Sequence, residues 1–198
     1  MHLISNAWAG IRSRADRAMT LYRTPGLRQP ERPGWRERIF KELHMPKRRD
    51  LIRMTEEEGW KFIETQKTVQ VATVGKDGTP HVMPLWFAID DGKIVLETFT
   101  KSQKVVNLVR NDRISVLFED GEEYNQLRGI SIQGRARLIQ EHDEVHRLHL
   151  AVLVRNQPNV PVDVLEKATA SMVSKKTAIV IEPDRMISWD HGKLDVAY

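Results

Sequence analysis

Ser102 and Lys104 stand just ahead of an apolar run at helical spacing, Val105, Val106, Leu108 and Val109. Serine is a natural N-cap, and a helix N-terminus offers free backbone N–H groups to an anion. Lys104 puts a full positive charge in the first turn, where it opposes the helix dipole unless an anion sits beside it. This combination suits a phosphate group. On the residues alone, a plain N-cap next to a solvated lysine is the simpler reading.

The elements around this helix start must position it. VQVATV is followed by the turn KDGT, then HVMPLWFAI, the turn DDG, KIVLETFT, the helix SQKVVNLVRN and RISVLF. Val69, Val71 and Thr73 share one face of the first strand, and Ala72 and Val74 share the other. Asp77-Gly78 and Asp91-Gly92 are hairpin turns. RISVLF places Ile114, Val116 and Phe118 on one side, and Gly134 interrupts GISIQGRARLI as a bulge or bend. A helix is expected over 142–155, with Val145, Leu148 and Val152 inward, and another over 163–173. Two final strands, KTAIVIEP and DRMISWD, complete the sheet. Ahead of it, Thr55 and Glu58 have capping-box spacing, Glu56 and Glu57 suit the helix dipole, and Trp60 and Ile63 supply an inward face. Short strands at this spacing with a few helices predict a mainly β, α+β fold built on a small antiparallel barrel. The curled sheet and the open helix start together suggest a flavin-like cofactor.

Composition bounds the rest. The 198 residues suffice for one sizeable core, and 40% apolar with 29% charged residues is ordinary for a soluble globular protein. With no cysteine, disulfides and thiolate zinc sites are excluded, which fits a cytoplasmic protein. No apolar run approaches the roughly 20 residues of a membrane span. The opening MHLISNAWAGIRSR lacks the order of a secretory signal. No nucleophile elbow, P-loop or dinucleotide fingerprint is present. His142, His146 and His149 form one helical stripe without a metallohydrolase carboxylate pattern, so they are expected on the surface and no metal is assigned.

Charge divides the chain into a basic extension over residues 1–50 and a cofactor-binding domain over 51–198. The extension holds twelve Lys and Arg against five Asp and Glu, about +7, while the whole chain is +4. Ile4, Trp8, Ile11, Ala15, Ala18 and Tyr22 recur at helical spacing with Arg12, Arg14 and Arg17 elsewhere on the surface. After a Pro- and Gly-rich loop, a second short helix is expected near Trp35, Ile39 and Leu43, ending before Pro46. These helices pack on the core or on a second subunit. A weak membrane-surface contact through residues 1–22 is the alternative. Nucleic acid is not expected as a partner, because no recognition motif accompanies the arginines.

In order and wording the chain resembles the split β-barrel family of pyridoxamine-5′-phosphate-oxidase-like proteins, and within it the flavin/deazaflavin oxidoreductases. The resemblance is carried by VATVGKDGTPHVMPLWF, ETFTKSQKVVNL with RNDRISVLF, ISIQGRARL and IVIEPDRMISWDHGKL, and covers residues 55–194. It implies that Ser102, Lys104 and Asn107 meet the cofactor phosphate, with Thr98 and Thr100 donating further hydrogen bonds. Val82, Met83, Pro84 and Trp86 resemble the ring-contacting strand. Pro84 lacks a backbone donor, which suits an edge or cofactor-facing position. Burial in the core is the other reading of Met83 and Trp86. Trp189, Asp190 and Lys193 resemble a C-terminal element that reaches the cofactor site of the other subunit. The family often has a second basic residue near the position of Ser102, which this chain lacks.

The resemblance implies hydride transfer between a bound cofactor, coenzyme F-420 (a deazaflavin) or FMN, and a small organic substrate. It also implies a homodimer with cofactor sites at the subunit interface. The cofactor carries the redox chemistry, so no catalytic acid or base is named. SWDHGKL tilts the choice toward the deazaflavin. Its acidic tail would want extra positive charge, for which Lys101, Arg110 and Arg128 are candidates unless they simply face water. Two further readings are a non-enzymatic flavin- or deazaflavin-storage protein docked through its basic helix, and a haem-binding or haem-degrading split barrel.

Overall fold

The computed structural model describes residues 48–194. Chain contacts separate Met1–Met45 from Pro46–Tyr198, and every described residue belongs to the second unit. The two helices expected between Ile4 and Leu43, and the membrane contact through residues 1–22, lie outside the described residues.

A short helix α1 (Arg48–Leu51) precedes α2 (Glu56–Thr65). The capping box forms as the sequence predicts. Thr55 Oγ1 accepts from the Glu58 N–H at 3.2 Å, and Glu58 Oε2 accepts from the Thr55 N–H at 2.7 Å. The strands are β1 (Thr68–Val74), β2 (Pro80–Asp90), β3 (Lys93–Phe99), β4 (Arg113–Asp120), β5 (Arg128–Ile139) and β6 (Lys176–Asp190). They close an antiparallel barrel in the order β1-β2-β3-β6-β5-β4. Helix α3 (Gln103–Arg110) lies between β3 and β4, and α4 (His142–Asn156) and α5 (Val162–Met172) between β5 and β6.

Alternation builds the core. The predicted inward faces of β1 and β4 are buried, and they meet Phe87, Leu96, Ile130 and Ile179 inside the barrel. Phe87 and Phe118 contact edge to face with centroids 4.9 Å apart. The hairpin between β2 and β3 turns on Asp91 and Gly92, both at positive φ, as a type I′ turn requires. The outer face of β3 is covered by α4, whose Leu148 packs with Val95, Ala178 and Val180. Arg155 of α4 donates to the Glu64 and Gln66 carbonyls at 3.0 and 2.8 Å, capping the C-terminal end of α2. No helix among the described residues is long and apolar enough to cross a membrane.

Two expectations change. The final two strands are one strand, β6, whose register against β5 shifts between Gln133 and Gly134. Pro183 stands opposite Gly134 and Asp184 is the extra residue at the shift, yet β6 continues through both. The histidine stripe is on the surface only at His142. His149 is buried against the barrel, and His146 is half-buried with its Nε2 2.9 Å from Thr169 Oγ1, because α5 packs over this face of α4.

A Cβ at Gly134 would stand 2.1 Å from the Glu182 carbonyl oxygen, so the bulge depends on glycine. Gly134→Ala is expected to destabilise the protein by about 3 kcal/mol through backbone overpacking, read as a lowered urea midpoint. An unchanged midpoint would contradict this register.

Candidate cofactor site

The barrel is split beside α3. Residues Pro80–Trp86 of β2 pair with β1, but only Phe87–Asp90 pair with β3. Glu97, Thr98 and Phe99 of β3 pair with β6 and not with β2. The edge of β2 over residues 80–86 therefore faces a gap. Proline has no N–H, so Pro80 and Pro84 fit the non-bonded positions of the ladder with β1. Val82 and Trp86, in phase with them, turn their backbone N–H and C=O groups toward the gap. Val82, Met83, Pro84 and Trp86 are all exposed, which removes the core reading of Met83 and Trp86.

The N-terminus of α3 stands at this opening. Ser102 takes the N-cap position with extended backbone, but its side chain makes no capping bond. The Ser102 hydroxyl instead accepts from Thr98 Oγ1 at 3.3 Å, and the first-turn N–H groups stay without a side-chain cap.

Lys104 is the anomaly. It is only 9% exposed, against the expectation of a solvated lysine. Its Nζ donates to Thr98 Oγ1 at 3.2 Å, and among the described residues it makes no ion pair. Burial pushes its ammonium below the ordinary lysine value. Glu97 opposes that shift and Lys176 adds to it.

The other residues predicted for the phosphate gather at the same barrel end. Asn107 is fully buried, donating Nδ2–H to Thr73 Oγ1 at 3.0 Å and accepting from Gln103 Nε2 at 2.9 Å. Its amide thus anchors α3 to β1. Thr100 accepts from Thr177 Oγ1 at 3.0 Å, and its N–H donates to the Lys175 carbonyl at 2.9 Å.

Trp189 and Lys193 are not brought to this end within the subunit. Helix α3 leads into the start of β4, whereas Trp189 pairs with Gly129 beside the end of β4. Eight residues of strand, about 25 Å, separate these ends. Trp189 helps line an open cleft of about 380 Å³ with Gln70, Leu117, Leu127 and Arg128. Lys193 is engaged with Glu58 at 2.5 Å and the Arg53 carbonyl at 3.0 Å. Of the candidate tail cations, Lys101 is exposed, Arg110 donates to the Val74 carbonyl, and Arg128 forms a bidentate pair with Asp120.

Sequence reasoning missed a second group behind Lys104. Glu97 Oε2 lies 2.8 Å from Lys176 Nζ, with both side chains largely buried at 15% and 7% exposure. Lys176 Nζ also sits 4.0 Å from the Phe99 ring centroid. His149 Nε2 approaches Glu97 Oε2 at 3.8 Å from α4. The signal was a charged residue inside the apolar strand KIVLETF, but alternation alone places Glu97 on the outer face without showing that α4 covers it.

The family described as pyridoxamine 5′-phosphate oxidase matches residues 37–190. The chain belongs to this family. Its members include flavin-binding oxidoreductases, so the split beside α3 falls in a fold used for flavin-type cofactors. The chain is 39% identical to the conserved hypothetical protein Rv2991 from Mycobacterium tuberculosis, whose crystal structure superposes with a TM-score of 0.71 over 77% of this chain and 95% of that one. A 5a,11a-dehydrotetracycline/5a,11a-dehydrooxytetracycline reductase of Streptomyces rimosus is 28% identical over 96 residues, 46% of this chain and 68% of the relative. A solved F420 reductase shares the fold, with a TM-score of 0.52 at 23% identity over 67% of this chain and 98% of its own.

His149 gives a pH test of the packing behind the site. Burial lowers its pKa, Glu97 opposes the shift, and Lys176 and His146 reinforce it. The folded state then holds this proton more weakly than the unfolded chain. Stability contributed by the neutral ring is present above the ordinary value of about 6.5 and is lost as pH falls below it. An NMR titration should place the His149 ring below that ordinary value. Titration at or above it would contradict the burial.

Proposed function

We propose that this protein is an oxidoreductase that binds a phosphate-bearing flavin-type cofactor, FMN or coenzyme F-420, and transfers hydride between it and a small organic substrate. The observation that carries the reading is the buried Lys104 ammonium, without an ion pair among the described residues, at the uncapped start of α3 and beside the open edge of β2. A buried cation without a counter-ion costs several kcal/mol, and a phosphate group would offset that cost. The uncapped N–H groups of the first turn favour the same anion.

When bound, the cofactor supplies the hydride chemistry. In this reading Lys104 holds the phosphate, with Ser102, Thr98 and Thr100 framing it and Asn107 fixing the helix that presents it. The open backbone edge of Val82, Pro84 and Trp86 and the exposed Met83 and Trp86 side chains would hold the ring. Trp189 and Lys193 serve the site of a second subunit. Their place at the far end of the barrel supports a homodimer with the cofactors at its interface.

Calorimetric titration of the purified protein with FMN, riboflavin, coenzyme F-420 and its phosphate-free chromophore tests this reading. A phosphate-bearing member should bind more tightly than its phosphate-free counterpart. Lys104→Met should weaken the phosphate-bearing ligand by more than tenfold and leave the other unchanged. Equal binding of FMN and F-420 by wild type and variant would rule out the site.

A further inference from the structure

Beside Lys104 the site contains a second lysine, Lys176, which faces a carboxylate. Around Thr98 the chain buries two ammoniums, Lys104 and Lys176, and one carboxylate, Glu97. His149, the remaining titratable group on Glu97, approaches from α4, with His146 behind it. One carboxylate cannot neutralise both lysines. Which of them it takes decides how much charge is left for a ligand.

The geometry answers this. Lys176 opens β6 directly opposite Phe99, so its side chain lies on the same outer face of the sheet as Glu97. Its Nζ is 2.8 Å from Glu97 Oε2 and 4.0 Å from the Phe99 ring centroid, which holds it from a second side. Lys104 comes from α3 and ends on the Thr98 hydroxyl, within the electrostatic reach of Glu97 but unpaired with it. The carboxylate is therefore occupied by Lys176, and Lys104 stays unpaired with it.

We propose that Lys176 is a positioning residue of the anion site: by holding the Glu97 carboxylate through its ion pair, it keeps Lys104 free for the cofactor phosphate. This rests on the phosphate reading of Lys104. It explains a buried ion pair whose partners have no other evident task, since an apolar pair of similar volume would fill the same space without desolvating two charges. Without Lys176, the Glu97 carboxylate would stand buried and unpaired one residue from Thr98, the group that Lys104 rests on. Its uncompensated negative charge would offset that of Lys104 and oppose a phosphate there.

The test compares wild type, Lys176→Met and the double variant Lys176→Met/Glu97→Gln. Each is titrated with FMN against riboflavin, and with F-420 against its phosphate-free chromophore. Thermal melts establish that each variant is folded. Lys176→Met should lose at least tenfold in affinity for the phosphate-bearing ligand, with the phosphate-free ligand unaffected. The double variant should recover most of that loss, because it removes the stranded carboxylate together with its partner. A purely structural role for Lys176 would weaken both ligands alike and would not be rescued. Unchanged affinity in a folded Lys176→Met, or a double variant no better than the single, overturns the proposal while leaving the Lys104 site standing. Wild-type protein that shows no preference for the phosphate-bearing ligand overturns both.

Discussion

A buried ammonium, Lys104, that no carboxylate among the described residues neutralises is the constraint around which this barrel end is organised. Lys104 has three N–H donors and, among the described residues, a single protein partner, the Thr98 hydroxyl. It also sits in the first turn of a helix, where the backbone dipole disfavours a cation. Folding bears both costs. The elements that enforce them are β3, which supplies Thr98, and α3, which Asn107 fastens to Thr73 of β1. The nearby Glu97 is held by Lys176. An arrangement that keeps a charge dry and unpaired is a poor way to stabilise a protein and a good way to bind an anion.

The split in the barrel follows from the same region. β2 is long enough to pair with β1 along one half and β3 along the other, and the two halves do not overlap. Its first half keeps one backbone edge open. Proline at positions 80 and 84 suits that edge, because neither needs a donor there. The tight Asp91-Gly92 turn and the cover of α4 hold the paired half closed. Closure at one end and a gap at the other thus coexist in one sheet. At the far end of the barrel Trp189 lies over Gly129. A Cβ at Gly129 would meet Trp189 Cζ2 at 2.4 Å.

Much of this was legible in the sequence because it is local. The Thr55–Glu58 capping box, the Asp91-Gly92 turn, the Gly134 bulge and the alternation of β1 and β4 depend on residues a few positions apart. The placement of Ser102 and Lys104 at a helix start was readable for the same reason. What depended on distant segments was not. Ser102 turns its hydroxyl to Thr98 and does not cap its own helix. His149 is buried because α4 lies on the barrel, which no periodicity within 142–156 reveals. Glu97 and Lys176 are far apart in the chain and meet only through the β3–β6 register. The continuity of β6 through Pro183 likewise follows from its pairing with β5, since a proline inside a strand ordinarily argues for a break.

The central claim is that Lys104 is kept unpaired in order to meet a phosphate. A crystal structure of the protein grown with FMN or coenzyme F-420 bound would test it most directly. The expected result is a phosphate oxygen within hydrogen-bonding distance of Lys104 Nζ, with Glu97 still paired to Lys176. A phosphate bound elsewhere on the barrel, with Lys104 still resting only on Thr98, would contradict it.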